Sequence, residues 1–178
     1  MIVCQTEGLV AQIVFKMVSQ TEDRKDIAQD VYLKAYQGLA RFRFSAKLST
    51  WIGQIAYNTC LSYLERKKLV LPGDGQEGEE PEETSRAFSG GAFPGVSHDN
   101  VTESTLYQRE LSAILRTALQ ELSPIYRTLI TLYHQEELSY EEIRQITGLP
   151  EGTVKNYLFR ARRALKDHLM DTYKKEGL

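Results

Sequence analysis

The sequence predicts an all-α protein, built as two small helical domains joined by a flexible acidic linker. Three observations carry this. Apolar residues recur at i, i+3, i+4 and i+7 near both ends of the chain, with no convincing strand alternation. Between residues 69 and 105 that period gives way to Gly, Pro, Glu and Ser. Charge divides in the same places: residues 1–68 carry net +4, residues 69–105 net −7 and residues 106–178 net +1. The overall charge of −2 hides this division, so arguments about partners use the segment values.

The length of 178 residues suits one domain or two small ones. A hydrophobic content of 42% and a charged content of 26% are globular values, against wholesale disorder. No apolar run reaches about 18 residues, so no membrane-spanning helix is expected. The first ten residues show no basic leader before an apolar stretch, so no secretory signal is expected. Two cysteines, Cys4 and Cys60, are too few for a disulfide framework. The expected compartment is the cytoplasm.

The first helix is read from Val10, Ile13, Val14, Met17 and Val18, which fall on one face. A polar break at residues 22–26 follows. Ile27, Val31, Leu33, Ala35 and Leu39 predict a second helix, with Tyr32 and Tyr36 beside them. Residues 42–47 are irregular, aromatic and basic. Leu48, Ile52, Ile55 and Thr59 predict a third helix, flanked by Trp51 and Ala56. Trp51 is expected in the core. Arg66, Lys67 and Lys68 close that helix, where cations suit the negative helix end and also phosphate.

Residues 69–105 cannot bury enough apolar surface to offset chain entropy. They read either as a tether or as an acidic strand for a basic channel in a partner.

Residues 106–122 form a helix with Leu111, Ile114, Leu115 and Ala118 in register. Ser123-Pro124 opens the next, with Ser as N-cap and Pro in the first turn; Leu129, Leu132 and Tyr133 are its apolar side. Ser139 and Glu142 are a capping box for a short helix over residues 140–147. Gly148-Leu149-Pro150 is a tight turn in which Gly148 suits a positive φ. The last helix runs from Glu151 to about Asp171, with Val154, Leu158, Ala161 and Leu165 on one face.

A short capped helix, a Gly-containing turn and a basic helix make a helix-turn-helix pattern. Val154 and Leu158 should pack on Ile143 and Ile146. Thr153, Lys155, Asn156, Phe159 and Arg160 then face away from that core. Arg160, Arg162, Arg163 and Lys166 outnumber nearby acids, as approach to phosphate requires. Lys and Arg can donate to guanine, Asn can pair with adenine, and Phe can touch a thymine methyl. The plainer reading is a helical hairpin with a solvated basic face.

Both halves together resemble the bacterial RNA polymerase sigma factors of the extracytoplasmic-function (ECF) group. Asp26-Ile27-Ala28-Gln29-Asp30-Val31-Tyr32-Leu33 is similar to the family's D-x-x-Q-E-V-F-L. Trp51-Ile52-Gly53-Gln54-Ile55-Ala56-Tyr57-Asn58 is similar to W-L-x-x-I-A-x-N. Gly152-Thr153-Val154-Lys155-Asn156-Tyr157-Leu158-Phe159-Arg160-Ala161-Arg162 is similar to G-T-V-K-S-R-L-x-R-A-R.

The resemblance implies region 2 over residues 1–68, a linker over 69–105 and region 4 over 106–178. It implies that Asp26, Gln29 and Asp30 dock on core RNA polymerase; without the motif they would be a solvated helix face. It implies that Phe42 and Asn58 form the pocket for a flipped base of the −10 promoter element. Arg66, Lys67 and Lys68 would hold phosphates. Thr153, Lys155, Asn156, Phe159, Arg160 and Arg163 would bind the −35 element. The linker would thread toward the RNA exit path, and an anti-sigma protein is a further implied partner. No cofactor, metal or membrane insertion is implied.

Two positions depart from the family pattern. Ser62 stands where Asp is usual, which bears on −10 specificity. Arg144 stands where the helix-turn-helix usually has Ala, so the helices must cross differently or Arg144 must reach outward.

Catalysis is not expected. His98, His134 and His168 are scattered, and neither cysteine has metal-ligand spacing. Cys60 reads as a small core residue, and no Gly-rich phosphate loop with Lys is present. The alternatives are a stand-alone helix-turn-helix regulator and a sigma-like interaction module without promoter activity.

Overall fold

The structure is a computed structural model that describes residues 2–70 and 103–176. The acidic linker reading therefore lies almost wholly outside the described residues, as does His98. Seven α-helices are described: α1 (Ile2–Met17), α2 (Thr21–Gly38), α3 (Leu48–Val70), α4 (Glu103–Glu121), α5 (Pro124–His134), α6 (Tyr140–Thr147) and α7 (Glu151–Glu176). A 3-10 turn, Leu39–Arg41, follows α2, and the described residues contain no strand.

All five apolar residues read onto α1 are buried: Val10, Ile13, Val14, Met17 and Val18. Arg24 closes that helix. Its Nε donates to the Val18 carbonyl at 2.8 Å, and its guanidinium lies over the Phe15 ring. A cation there suits the negative end of the helix.

α2 buries Ile27, Val31 and Ala35, at i, i+4 and i+8. Leu33 was expected with them but is 55% exposed. It lies two residues from Val31, which turns it about 200° away on a helix. Leu39 is also exposed, because it opens the 3-10 turn after α2 has ended.

In α3 the fully buried stripe is Ile52, Ala56 and Cys60, while Leu48 and Ile55 are half-buried. Of the four residues expected on this face, Ile52 and Thr59 are buried; Ala56, expected on the flank, joins them. Trp51 is also half-buried.

The second half follows its capping signals. The Ser123 side chain accepts from the Tyr126 amide, with Pro124 in the first turn of α5. Both arms of the Ser139–Glu142 capping box form at the start of α6. Gly148 ends α6 at φ 72°, and its N–H donates to the Arg144 carbonyl at 2.8 Å. Ile143, Ile146, Val154, Leu158 and Ala161 are fully buried between α6 and α7. Leu115 on α4 points outward, whereas Ala118 is buried.

The two halves share one core. α1 packs on α5, and α3 packs on α6. Gly53 of α3 faces Ile146 of α6 so closely that a Cβ there would lie 3.1 Å from Ile146 Cδ1 and 3.3 Å from Leu9 Cδ2. At the rim, Lys47 Nζ lies 2.8 Å from Glu142 Oε1. Where α1 meets the second half, half-buried Lys16 faces Arg127 and Arg116, and burial plus these two cations push its ammonium pKa down.

Ile146 is fully buried where α3, α6 and α7 meet. Ile146→Ala should therefore destabilise the chain by about 2–5 kcal/mol in urea unfolding. Phe159→Ala, on the outer face, should change stability by less than about 0.5 kcal/mol in the same measurement.

Candidate nucleic-acid and protein-binding surfaces

Three exposed surfaces collect the residues singled out by the sequence. The first lies on α2. Asp26, Gln29 and Asp30 are all exposed, and helical spacing places them on one side. Leu33 and Tyr36 continue that side and are also exposed. The surface therefore sets an exposed Tyr and Leu beside acids and an amide, so the aromatic can anchor a protein contact while the acids supply charge complementarity. Sequence reasoning missed Leu33 as a surface residue; its phase, out of step with Ile27, Val31 and Ala35, carried the signal.

The second surface follows the 3-10 turn. Phe42 packs against Phe44 and Trp51, with ring centroids 4.8 Å and 4.9 Å away. Phe44 is 84% exposed and sits at φ 54°. A non-glycine residue in that region costs about 1–3 kcal/mol, which the surrounding structure must hold. Phe44 was not singled out individually by the sequence reading, since a positive φ at Phe leaves no local signal. Asn58 is exposed on the side of α3 that carries Trp51, seven residues and about 10 Å along the axis. Phe42 and Asn58 thus flank one face without touching through any contact described here.

The basic end of α3 belongs to the same half. Arg66 Nε donates to the Ser62 carbonyl at 3.2 Å, and Lys67 Nζ lies 5.9 Å from the Tyr63 ring centre. Lys68 continues the helix, and its side chain lies outside the described part. Tyr63 ties α3 to the start of α2 through a 2.5 Å hydrogen bond to Asp23. Burial first, and then that bond, push the Tyr63 phenol up to about 12.

The third surface is the outer face of α7. Lys155, Asn156, Phe159, Arg160 and Arg163 are exposed, Phe159 at 64%, and Thr153 is half-buried. Val154, Leu158 and Ala161 lock the opposite face into the core. Lys155 pairs with Glu151 at 2.6 Å and lies over the Tyr140 ring. The Tyr140 ring stacks on Tyr133, and Arg162 donates from Nε to His134 Nε2 at 3.2 Å. Arg144 reaches outward and binds both carboxylate oxygens of Glu141 at 2.6 Å and 2.7 Å. It does not enter the helix–helix contact. The hydrogen bond from Arg144 leads in holding the Glu141 carboxyl down at about 2.

Among the described residues no group of three or more His, Cys, Asp or Glu is placed to hold a metal. Cys60 is buried in α3, and burial pushes its thiol up to about 12, while Cys4 is exposed. No described helix is long and apolar enough to cross a membrane.

Comparison with known proteins agrees with this layout. Residues 2–70 match the family described as Sigma-70 region 2, and residues 112–165 match Sigma-70, region 4. The chain belongs to the sigma-70 family, a class of regulatory, non-enzymatic proteins.

Within it, the relatives fix the group. The ECF sigma factor SigW of Bacillus subtilis is 30% identical over 91% of this chain and 83% of its own length. The ECF sigma-E factor of Escherichia coli K12 is 33% identical over 93% and 83%. The chain is an ECF RNA polymerase sigma factor by family. Among solved structures, the sigma factor RpoE of Bartonella quintana, in complex with the anti-sigma factor NepR, has a similar fold. The TM-score is 0.67 at 22% identity, over 94% of both chains. CnrH, in complex with the cytosolic domain of CnrY, gives 0.58 at 19% identity, over 96% of this chain and 85% of that one.

The Lys47–Glu142 contact gives a pH prediction. Hydrogen bonds from Lys47 first, and then from Ser139, hold the Glu142 carboxyl down at about 2. A depressed carboxylate contributes stability above its ordinary value near 4.5 and loses it as pH falls through 2. The seam should loosen over that window, seen as falling energy transfer between dyes on α2 and α7. Glu142→Gln should flatten the acid limb relative to the parent chain.

Proposed function

We propose that this chain directs promoter-specific initiation by bacterial core RNA polymerase in the cytoplasm. Asp26, Gln29 and Asp30 dock on the polymerase. Phe42 and Asn58, with Arg66, Lys67 and Lys68 beyond them, hold the melted −10 element. Thr153, Lys155, Asn156, Phe159, Arg160 and Arg163 bind the −35 element. Residues 1–68 and 106–178 are the two functional domains, and residues 69–105 connect them. An anti-sigma protein is the proposed regulator.

The observation that carries this reading is α7. A helix pinned by Val154, Leu158 and Ala161 presents amide, aromatic and cationic side chains outward after a Gly148 turn. That is the arrangement by which a recognition helix reads base edges in the major groove. The exposed α2 surface on the same chain favours a polymerase-dependent factor over a stand-alone regulator.

The geometry adds a requirement. Elements named for positions −10 and −35 are about 25 base pairs apart, which is roughly 85 Å on straight duplex at 3.4 Å per step. A compact chain of this length has a radius of gyration of about 16 Å. One body with joined halves cannot span both elements, so the seam must part on the promoter.

The deciding experiment is binding to core RNA polymerase by the native chain and by a Gln29→Ala, Asp30→Ala variant. Submicromolar binding that the variant loses supports the reading. No binding by a folded native chain leaves a stand-alone DNA binder. On a promoter, Arg160→Ala should cost about 1–3 kcal/mol if Arg160 reads a base, with relaxed preference at one −35 position. Uniform weakening across sequences would make Arg160 a phosphate contact instead.

A further inference from the structure

Lys47 belongs to none of these three surfaces, yet it bridges the two halves of the chain beside the aromatic stretch. It precedes α3 directly, closing a stretch that carries Arg41, Phe42, Arg43 and Phe44. Its side chain is 75% exposed, and its ammonium meets Glu142 of the other half at 2.8 Å. The Glu142 side chain is only 19% exposed. Its Oε2 is fixed by the Ser139 amide at 3.0 Å and the Ser139 hydroxyl at 2.8 Å. The other oxygen, Oε1, is presented to Lys47. One oxygen of a rigidly held anion is thus offered to an exposed cation three residues along the chain from the exposed Phe44 ring.

We infer that Lys47 is a binding site for a phosphodiester of single-stranded DNA, and that Glu142 occupies that site while the two halves are joined. This rests on the reading of the Phe42–Asn58 face as a nucleic-acid surface. The chemistry is that of exchange. A carboxylate oxygen and a phosphate oxygen make the same charge-assisted bond to an ammonium. An exposed ion pair is a weak contact, so a polyanion that also releases counterions can displace it. The cap of α6 does not explain the charge, because Gln serves a capping box as well as Glu. A carboxylate also suits the positive end of α6, but its Oε1 is left out of the cap and is aimed at Lys47.

Glu142→Gln tests this with the cap kept. The full chain is titrated against a short labelled single-stranded oligonucleotide, by fluorescence anisotropy, between 50 and 200 mM salt. The variant should bind about 3–10-fold more tightly, with the slope of log affinity against log salt steeper by about 0.7, the value for one added phosphate contact on a single strand. In a Lys47→Gln background the same change should give no gain. An unchanged affinity in Glu142→Gln, or a gain that persists without Lys47, overturns the inference.

Circular dichroism shows whether α6 survives. Should it fray, Lys47→Gln and Lys47→Arg are compared with each other at neutral pH in the Glu142→Gln background, where the fraying is common to both. Equal affinity of the two then overturns the inference, and weaker binding by Lys47→Gln upholds it. The assay contains no polymerase. A chain that behaves as expected here yet ignores core polymerase sinks the sigma reading and leaves this site standing.

Discussion

The structure turns on the close approach of Ile146 to Gly53. A helix backbone without a Cβ lets an isoleucine from the other half and Leu9 of α1 both sit against it. Through that point the α1–α3 core and the α6–α7 core become continuous, with Ile13, Ile52, Ile143 and Leu158 all fully buried in one cluster. Each such side chain contributes about 1.5–3 kcal/mol when removed from water. The exposed surfaces are what is left after this burial: the α2 side, the aromatic stretch and the outer face of α7.

Helix ends set the second constraint. Arg24 closes α1 by donating to Val18 and Ser19 carbonyls, and Arg127 closes α4 by donating to those of Gln120 and Leu122. These are cations at negative helix termini, each satisfying carbonyls that have no intrahelical partner. Arg127 carries a cost in return. Its Nε is buried without a hydrogen-bond partner among the described residues, and burial leads in pushing its pKa down. Both arginines hold turns that bring the helices of their own half into register.

Much of this was legible from the sequence because it is local. Capping boxes, a Gly after a short helix, and apolar residues at helical spacing are decided within four to eight positions. Ser123, Ser139, Gly148 and the α1 stripe behaved as their neighbours dictate. The misreadings have the opposite character. Leu33 is grouped by hydrophobicity although its phase points away from Ile27 and Val31, and Ala56 is assigned to the flank of α3 because it looks weaker than Ile55. The seam was not legible at all. Gly53 carries no local signal of its role, which appears only with Ile146, 93 positions later, against it. Phe44 was equally hidden, since its backbone conformation answers to packing with Phe42.

The seam is electrically lopsided. Unlike charges meet where α6 crosses α3, through Lys47 and Glu142; like charges face one another where α1 meets the second half, through Lys16, Arg116 and Arg127. Mobile ions weaken the first and relieve the second in the same step. Ionic strength therefore redistributes the grip between the halves, shifting it from the α3 side toward the α1 side, instead of simply loosening it.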